Sequence, residues 1–362
     1  MRILVVTGSS GGHIFPAVSF LKALKDKKGD KEIDALLALP KRGLKSVLPE
    51  DAYKVKYLCG SGVSLRLDYK FLIAIFKFMK GALESLRIII DFQPDAVVGF
   101  GSIDSIPMLM LAWFFRIKTL IHEQNVMPGR ANRLLARFVD KVAVSFTETK
   151  DYLKVNSEKI ILTGNPIRQE LKCARRHEAL DFFGFSQDKF TVLVMGGSQG
   201  SHAINTSFLG AVSGMSVSRR LQVIHLAGGK EADLLGQGYK DLNLKVKLFA
   251  FLKEMQYAYS ASDLAISRAG ATTIAELIFF RLPAIIIPYP FAYRHQLENA
   301  GILKKEGCAI VIEEDRLSPG LLREALGGLM DSPDRIKLMR SGYEFIAHPG
   351  ADELLVKEVL SF

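Results

Sequence analysis

The residues best able to do chemistry in this chain stand in short polar clusters at the ends of apolar runs. Gly8-Ser-Ser-Gly-Gly-His13 follows the run Arg2-Ile-Leu-Val-Val6 and precedes Pro16, whose fixed φ suits the first turn of a helix. Glycines there let a ligand approach the backbone, N–H groups at the helix start attract anions, and His13 adds a titratable nitrogen. A tight strand-to-helix turn carrying an exposed histidine accounts for the same residues.

Gly196-Gly-Ser-Gln-Gly200 repeats the pattern after Val192-Leu-Val-Met195, with Ser198 adding a hydroxyl. A pyrophosphate suits such a turn, although a purely structural glycine turn reads the same way. It lacks the lysine of a P-loop and the full GxGxxG spacing, which argues against an NTPase and a nicotinamide enzyme. Ser267-Arg-Ala-Gly-Ala-Thr-Thr-Ile-Ala-Glu-Leu277 is a small-residue helix entry with Glu276 in its first turns. A carboxylate there can accept both hydroxyls of a ribose; it can also simply complement the helix dipole.

Ile121-His-Glu-Gln-Asn-Val126 places four polar side chains at a strand's carboxyl end, a density that packing alone does not explain. Val126 stands where HExxH needs its second histidine, so the zinc-protease pattern fails. Amides and a carboxylate here suit sugar hydroxyls, and a satisfied polar turn is the alternative.

These clusters need strands to carry them. Apolar runs alternate with helix-period segments, the pattern of parallel strands joined by crossover helices, and the fold class is α/β. Candidate strands are 3–6, 96–99, 119–122, 142–145 and 160–163 in a first lobe. In a second they are 192–195, 222–226, 245–249, 264–267, 284–287 and 309–312. Each lobe reads as a Rossmann-like unit, with the linker near Thr163-Gly-Asn-Pro166. A ligand-binding cleft is expected between the lobes, beyond the strands' carboxyl ends.

Composition narrows the class. At 362 residues, 49% hydrophobic and 24% charged, the chain suits two folded domains without low-complexity tracts. Three separated cysteines, Cys59, Cys173 and Cys308, give neither a disulfide framework nor a CxxC zinc pair, which fits a reducing compartment. Nothing at the N-terminus directs export, and no apolar segment reaches the roughly 20 residues of a membrane span. The net charge of +10 is uneven: residues 1–165 hold 25 Lys and Arg against 16 Asp and Glu, residues 166–362 hold 23 against 22. The first lobe therefore faces something anionic, nucleic acid or a lipid surface on charge alone.

Seven ordered segments together resemble the MurG family of peptidoglycan lipid-intermediate N-acetylglucosaminyltransferases. They are Gly8 to His13 with Phe15-Pro-Ala17, Gly99-Phe-Gly101, His122 to Asn125, Thr163-Gly-Asn-Pro-Ile-Arg168, Gly196 to Gly200, Ser267 to Glu276, and His295-Gln296 with Asn299-Ala300. Two stretches depart from the family: Gly8-Ser-Ser stands for Gly-Gly-Thr, and Gly101-Ser-Ile-Asp-Ser105 for a more glycine-rich turn.

The resemblance implies a GT-B fold. Residues 1–164 would form an acceptor- and membrane-binding domain, with a C-terminal helix of about 344–362 packed back on it, and 165–343 a UDP-N-acetylglucosamine-binding domain. It implies inverting transfer of N-acetylglucosamine from UDP to the 4-hydroxyl of a polyprenyl-pyrophosphate-linked muramyl-pentapeptide, in peptidoglycan synthesis at the cytoplasmic face of the plasma membrane. Neither a cofactor nor a metal is implied, and a nucleic-acid partner is not. Arg168 and Ser198 would meet the diphosphate, Leu252 would offer its backbone to uracil, and Glu276 would hold the ribose. Asn125 and Gln296 would read the sugar. Ala271, Thr272, Thr273, Ile274 and Ala275 would line the nucleotide, with Ser10, Gly11 and Gly12 approaching from the other lobe. Direct displacement needs one base, His13 first and Glu123 in reserve. A related transferase acting on a diacylglycerol, and an inactive scaffold of the same fold, are the competing readings.

An acceptor on a polyprenyl tail must be met at a bilayer. In Lys70-Phe-Leu-Ile-Ala-Ile-Phe-Lys-Phe-Met-Lys80 the apolar residues occupy more than one helical face. Phe71, Phe76 and Phe78 would enter the interface, while Lys70, Lys77, Lys80 and Arg87 reach anionic headgroups. A core helix with snorkelling lysines is the alternative.

Overall fold

The computed structural model describes residues 1–27, 33–41, 53–60, 69–197, 199–215, 220–229, 231–292, 294–348 and 350–362, with the backbone alone for 69–72. The chain divides into unit 1, Met1–Gln169 with His348–Phe362, and unit 2, Glu170–Ala347.

Unit 1 runs β1 (Arg2–Val6), α1 (Gly11–Asp26), β2 (Asp34–Pro40), β3 (Lys54–Leu58), α2 (Tyr69–Phe92), β4 (Ala96–Gly99), α3 (Ile106–Phe114), β5 (Lys118–Glu123), α4 (Arg130–Leu135), β6 (Lys141–Val144) and β7 (Ile160–Leu162). Its strands are all parallel, in the order β3-β2-β1-β4-β5-β6-β7. Side chains alternate across a strand, so β1 feeds two cores. Ile3 and Val5 pack with Ile14, Phe20 and Leu24 of α1, whereas Leu4 and Val6 pack with Ile88 and Ile89 of α2 and Met108 and Leu109 of α3.

The expected first-lobe strands are present, and β2 and β3 join them. The sequence of β2, Asp-Ala-Leu-Leu-Ala-Leu-Pro40, carries helix-forming Ala and Leu. Its pairing with β1, Arg2 opposite Asp34 through Val6 opposite Ala38, overrides that preference. Pro16 also differs from expectation. Helix α1 already starts at Gly11, so Pro16 sits in its second turn and removes the donor that would have reached the Gly12 carbonyl.

Unit 2 runs α5 (Arg176–Phe183), β8 (Phe190–Met195), α6 (His202–Ser213), β9 (Leu221–Leu226), α7 (Ala232–Lys240), β10 (Lys245–Phe249), α8 (Met255–Ala261), β11 (Leu264–Ser267), α9 (Ala271–Phe280), β12 (Ala284–Ile286), α10 (His295–Lys305), β13 (Ala309–Val311), α11 (Pro319–Met330) and α12 (Pro333–Gly342). Its six strands are parallel in the order β10-β9-β8-β11-β12-β13. The fold class is α/β, with two Rossmann-like sheets. In each, strand order reverses beside the first strand, between β1 and β4 and between β8 and β11, where such sheets bind ligands.

The chain then returns to unit 1 as α13 (Ala351–Leu360). Leu355, Val356 and Val359 complete the α1 core, and Lys141 Nζ binds Glu358 Oε2 at 2.9 Å.

Candidate active site

At the β1/β4 switch the backbone closes around one imidazole. His13 lies in the first turn of α1, with its Nδ1 2.9 Å from Ser10 Oγ. A Cβ on Gly101 would stand 3.1 Å from His13 Nε2, and one on Gly8 would overlap Ser102. Only glycine allows both approaches; Gly101 also has φ +88°. Burial lowers the His13 pKa below its usual value, and the charges of Glu123 and Asp104 pull it back up. Such an imidazole is neutral near pH 7 and able to accept a proton.

Ser102 takes the place of a glycine at cost. Its φ of 78° and ψ of 151° lie in a region occupied almost only by glycine, a strain of about 1–3 kcal/mol. Its hydroxyl donates to Asp104 Oδ2 at 3.2 Å.

The polar cluster after β5 is a loop clamp. Glu123 Oε1 accepts from the N and Nδ2 of Asn125, at 2.9 and 3.1 Å, and Oε2 from Gly129 N and Asn132 Nδ2, at 3.0 and 2.8 Å. With both oxygens engaged, this buried carboxylate holds the loop that follows it. His122 Nε2 contacts the Gly164 carbonyl at 2.9 Å, and burial pushes its pKa down to about 4. Asn132, which the sequence reading did not select, lies close to Gly101, and its buried Oδ1 has no hydrogen-bond partner among the described residues.

Arg168 lies in unit 1, its guanidinium 5.0 Å from the Phe15 ring on α1. The sequence reading had grouped it with the second lobe; stacking on α1 ties it to the first.

In unit 2 the glycine turn after β8 packs into the end of β9: a Cβ on Gly200, which has φ +78°, would overlap the Ala227 carbonyl. Ser198 lies outside the described residues. Helix α9 starts without a side-chain cap, and Thr272 Oγ1 in its first turn is buried with no partner among the described residues. An uncapped helix N-terminus beside an unpaired hydroxyl suits an anionic or hydroxylated ligand. Ala271, Ile274 and Ala275 are buried on this helix, and Thr273 is half-buried. Glu276 is buried in the second turn, where Oε2 accepts from Tyr259 Oη at 2.6 Å.

Gln296 Oε1 accepts from both Ala269 N and Tyr289 N, at 3.0 and 2.9 Å. Its oxygen is thereby committed to the loops, and the amide's donor end is the one left for a ligand. Asn299, one turn on, donates to the Ala269 carbonyl at 3.1 Å. Leu252 is buried beside the exposed Phe251. Arg268 was missed as a site residue. It pairs with Glu314 and donates to Ser201 Oγ at 2.7 Å and to the Ile287 carbonyl at 3.2 Å, joining three loops at the β8/β11 switch. Among the described residues, no group of three acidic, histidine or cysteine side chains is arranged to hold a metal.

Residues 3–144 match the glycosyltransferase family 28 N-terminal domain and residues 191–352 its C-terminal domain. A protein of Thermoanaerobacter sp. (strain X514), named UDP-N-acetylglucosamine–N-acetylmuramyl-(pentapeptide) pyrophosphoryl-undecaprenol N-acetylglucosamine transferase, is 36% identical over 100% of both chains. One of the same name from Halalkalibacterium halodurans is 33% identical over 99% of each. The chain belongs to this transferase family.

Solved structures agree on the fold. MurG of Acinetobacter baumannii superimposes with a TM-score of 0.79 at 24% identity, covering 100% of both chains. The S. aureus MnaA–UDP structure gives 0.70 at 15% identity, over 99% of this chain and 95% of that one. This is the GT-B arrangement of two Rossmann-like domains, and the chain is a glycosyltransferase.

The transferase also carries an apolar surface in unit 1. On α2, Ala74, Gly81, Ser85, Ile88 and Ile89 are buried, while Phe76 (72% exposed), Met79, Leu83 (66%) and Ile90 form a second stripe at helical spacing. Trp113, Phe114 (71%) and Phe115 at the end of α3 are exposed as well, and α2 packs on α3. Phe78 and Lys77 are half-buried and Lys80 is exposed; the side chains of Lys70 and Phe71 lie outside the described residues. Among the described residues, no helix is long and apolar enough to cross a membrane.

Proposed function

We infer that this transferase moves N-acetylglucosamine from UDP-N-acetylglucosamine to the 4-hydroxyl of a polyprenyl-pyrophosphate-linked muramyl-pentapeptide, making a peptidoglycan precursor. One observation carries the reading. In a chain similar along its whole length to transferases of that name, an imidazole whose pKa is lowered by burial stands at the β1/β4 switch, where glycines let the backbone close around it.

In this mechanism His13 Nε2 takes the proton of the acceptor hydroxyl as that oxygen bonds to the sugar's anomeric carbon. The bond from that carbon to the diphosphate breaks, and its electrons leave with UDP, inverting the centre in one displacement. The α9 N-terminus, Thr272, Arg168 and Ser198 offset the diphosphate charge. Glu276 accepts from the ribose, the Gln296 amide donates to the sugar with Asn125, and Leu252 offers its backbone to the base. Ser10, Gly11 and Gly12 supply the approach to the acceptor. Glu123 keeps the Asn125 loop in place.

The apolar faces of α2 and α3 dock unit 1 on an anionic membrane, where the polyprenyl acceptor resides. They combine exposed aromatic residues with Lys80 and Arg87, the chemistry of an interfacial surface. The cytoplasmic leaflet is the one on which a UDP-sugar is at hand. Incubating the purified chain with labelled UDP-N-acetylglucosamine and a short-chain lipid-linked muramyl-peptide should yield the labelled disaccharide lipid. Label passing instead to diacylglycerol, or to no acceptor, would overturn the assignment.

A further inference from the structure

Beside the glycine turn after β8, unit 2 buries a run of polar side chains to which the reaction as outlined gives no part. Asn205 in the first turn of α6, His225 on β9 and Tyr239 on α7 are all buried. Asn205 Nδ2 lies 3.0 Å from the Ala227 carbonyl oxygen and 2.8 Å from Glu231 Oε2. Its Oδ1 lies 3.0 Å from His225 Nε2, and His225 Nδ1 lies 2.7 Å from Tyr239 Oη.

The direction of each bond follows from what the groups at the end can do. A carbonyl and a carboxylate only accept, so the amide turns its NH2 to them and its oxygen to the histidine. That oxygen needs a donor, and burial keeps the ring neutral with one proton, which therefore sits on Nε2. Nδ1 then accepts from the Tyr239 hydroxyl. Tyr239, His225 and Asn205 donate in one direction, ending on the Ala227 carbonyl, and bonds in such a series strengthen one another.

At that carbonyl the turn after β9 meets the turn after β8. A Cβ on Gly200 would overlap it, and a Cβ on Gly228 would stand 2.5 Å from the Gln199 carbonyl oxygen and 2.8 Å from Gly200 N. Backbone meets backbone with no side chain between, so the position of Ala227 sets that of Gly200. The second oxygen of Glu231 lies 3.0 Å from His202 Nδ1, which ties in the first residue of α6 as well.

We propose that His225 is a positioning residue for donor binding: backed by Tyr239, its Nε2–H fixes Asn205, which through the Ala227 carbonyl fixes the glycine turn after β8, on the reading that this turn carries the diphosphate of UDP. With none of its surface exposed, His225 acts only through Asn205. A turn already held in its binding shape loses less freedom when the anion arrives, which raises affinity.

The test is calorimetric titration of the full-length chain with UDP, paired with hydrogen exchange at the amides of Gly200 and Ala227, which bond to the Gly197 and Phe249 carbonyls. In His225→Leu the Kd for UDP should rise about tenfold, the donor KM should follow, kcat at saturating donor should stay within about twofold, and both amides should exchange faster. His225→Gln, whose side-chain NH2 still donates to Asn205, should keep most of the affinity. Tyr239→Phe removes a single hydroxyl, the milder change should His225→Leu fail to fold, and should give a smaller loss in the same direction. Unchanged UDP affinity in the folded variants, or unmoved exchange at both amides, would overturn the proposal even where the fold is weakened. Faster exchange in variants of a chain that binds no UDP would leave this coupling standing and remove the donor reading instead.

Discussion

The Nδ1 of His13 is bonded to Ser10 Oγ at 2.9 Å within the first turn of α1, which turns Nε2 toward Gly101. The hydroxyl therefore engages Nδ1 and leaves Nε2 as the nitrogen for the acceptor in the proposed mechanism. His13→Ala should lower kcat by about 10²–10⁴-fold and leave donor affinity near that of the natural chain. Ser10→Ala, which frees the ring without removing it, should cost about tenfold in kcat, the equivalent of one hydrogen bond. Steady-state kinetics with both substrates varied distinguish these outcomes from a binding defect; a His13→Ala variant with undiminished kcat would exclude it as the base.

Glu276 faces Tyr259 in unit 2, and its loss should appear in donor binding. Glu276→Ala should weaken UDP binding by about 1.5–3 kcal/mol, as expected for a charged hydrogen bond. Calorimetric titration with UDP measures this directly, and an unchanged Kd in the folded variant would assign the ribose to another residue.

Glu123 accepts four hydrogen bonds from the following loop, so removing its carboxylate strands buried donors. Glu123→Ala should cost about 3 kcal/mol in unfolding free energy, read by urea denaturation. Glu123→Gln should fold better and keep the acid limb of the pH–rate profile. A profile that lost its acid limb in Glu123→Gln would return this residue to the role of base.

Burial holds His122 and His225 neutral, each with its pKa lowered to about 4. In the unfolded chain each titrates near 6.5, so between those values the unfolded state binds more protons and stability rises with pH. The stabilisation is complete above about pH 6.5 and is lost as pH falls toward 4, by about 3 kcal/mol per site. Urea midpoints measured from pH 7 to pH 4 should fall, and His225→Gln should flatten the curve. A natural chain equally stable at both ends of that range would contradict the burial of these rings.

The second stripe of α2 makes a quantitative forecast for vesicles. Phe76→Ser with Phe114→Ser should abolish most flotation with anionic liposomes, and Lys80→Glu should weaken it about fivefold. Activity on a water-soluble acceptor should persist in all of them. Equal flotation of the folded variants and the natural chain would assign these faces to another role.

Much of this was legible in the sequence because strand-turn-helix signals are local. The glycines after β1 and β8 and the small residues opening α9 announced the sheet ends where ligands bind. The order of strands was less legible: β2 carries Leu and Ala where β-branched residues would have announced it, and only pairing with β1 makes it a strand. Glu123 was singled out as a reserve base, but the four donors it binds are set by how residues 125–132 fold back, which spacing does not disclose. Arg268 looked like part of a helix entry, and its partners Ser201 and Glu314 lie 67 and 46 positions away in the chain. The strain at Ser102 was equally hidden, although its replacement of a glycine was the available signal.

The return of α13 to unit 1 bears on how the molecule is made. Domains fold largely in the order of their synthesis. Here, the pocket of α1 that receives Leu355, Val356 and Val359 stays unfilled while all of unit 2 is translated. Unit 2, continuous in sequence, can close as soon as it leaves the ribosome. Unit 1 begins before unit 2 and is completed after it, so the helix bearing His13 is fully buttressed only when α13 has arrived. A nascent chain stalled before His348 would expose that greasy groove to chaperones until α13 is made.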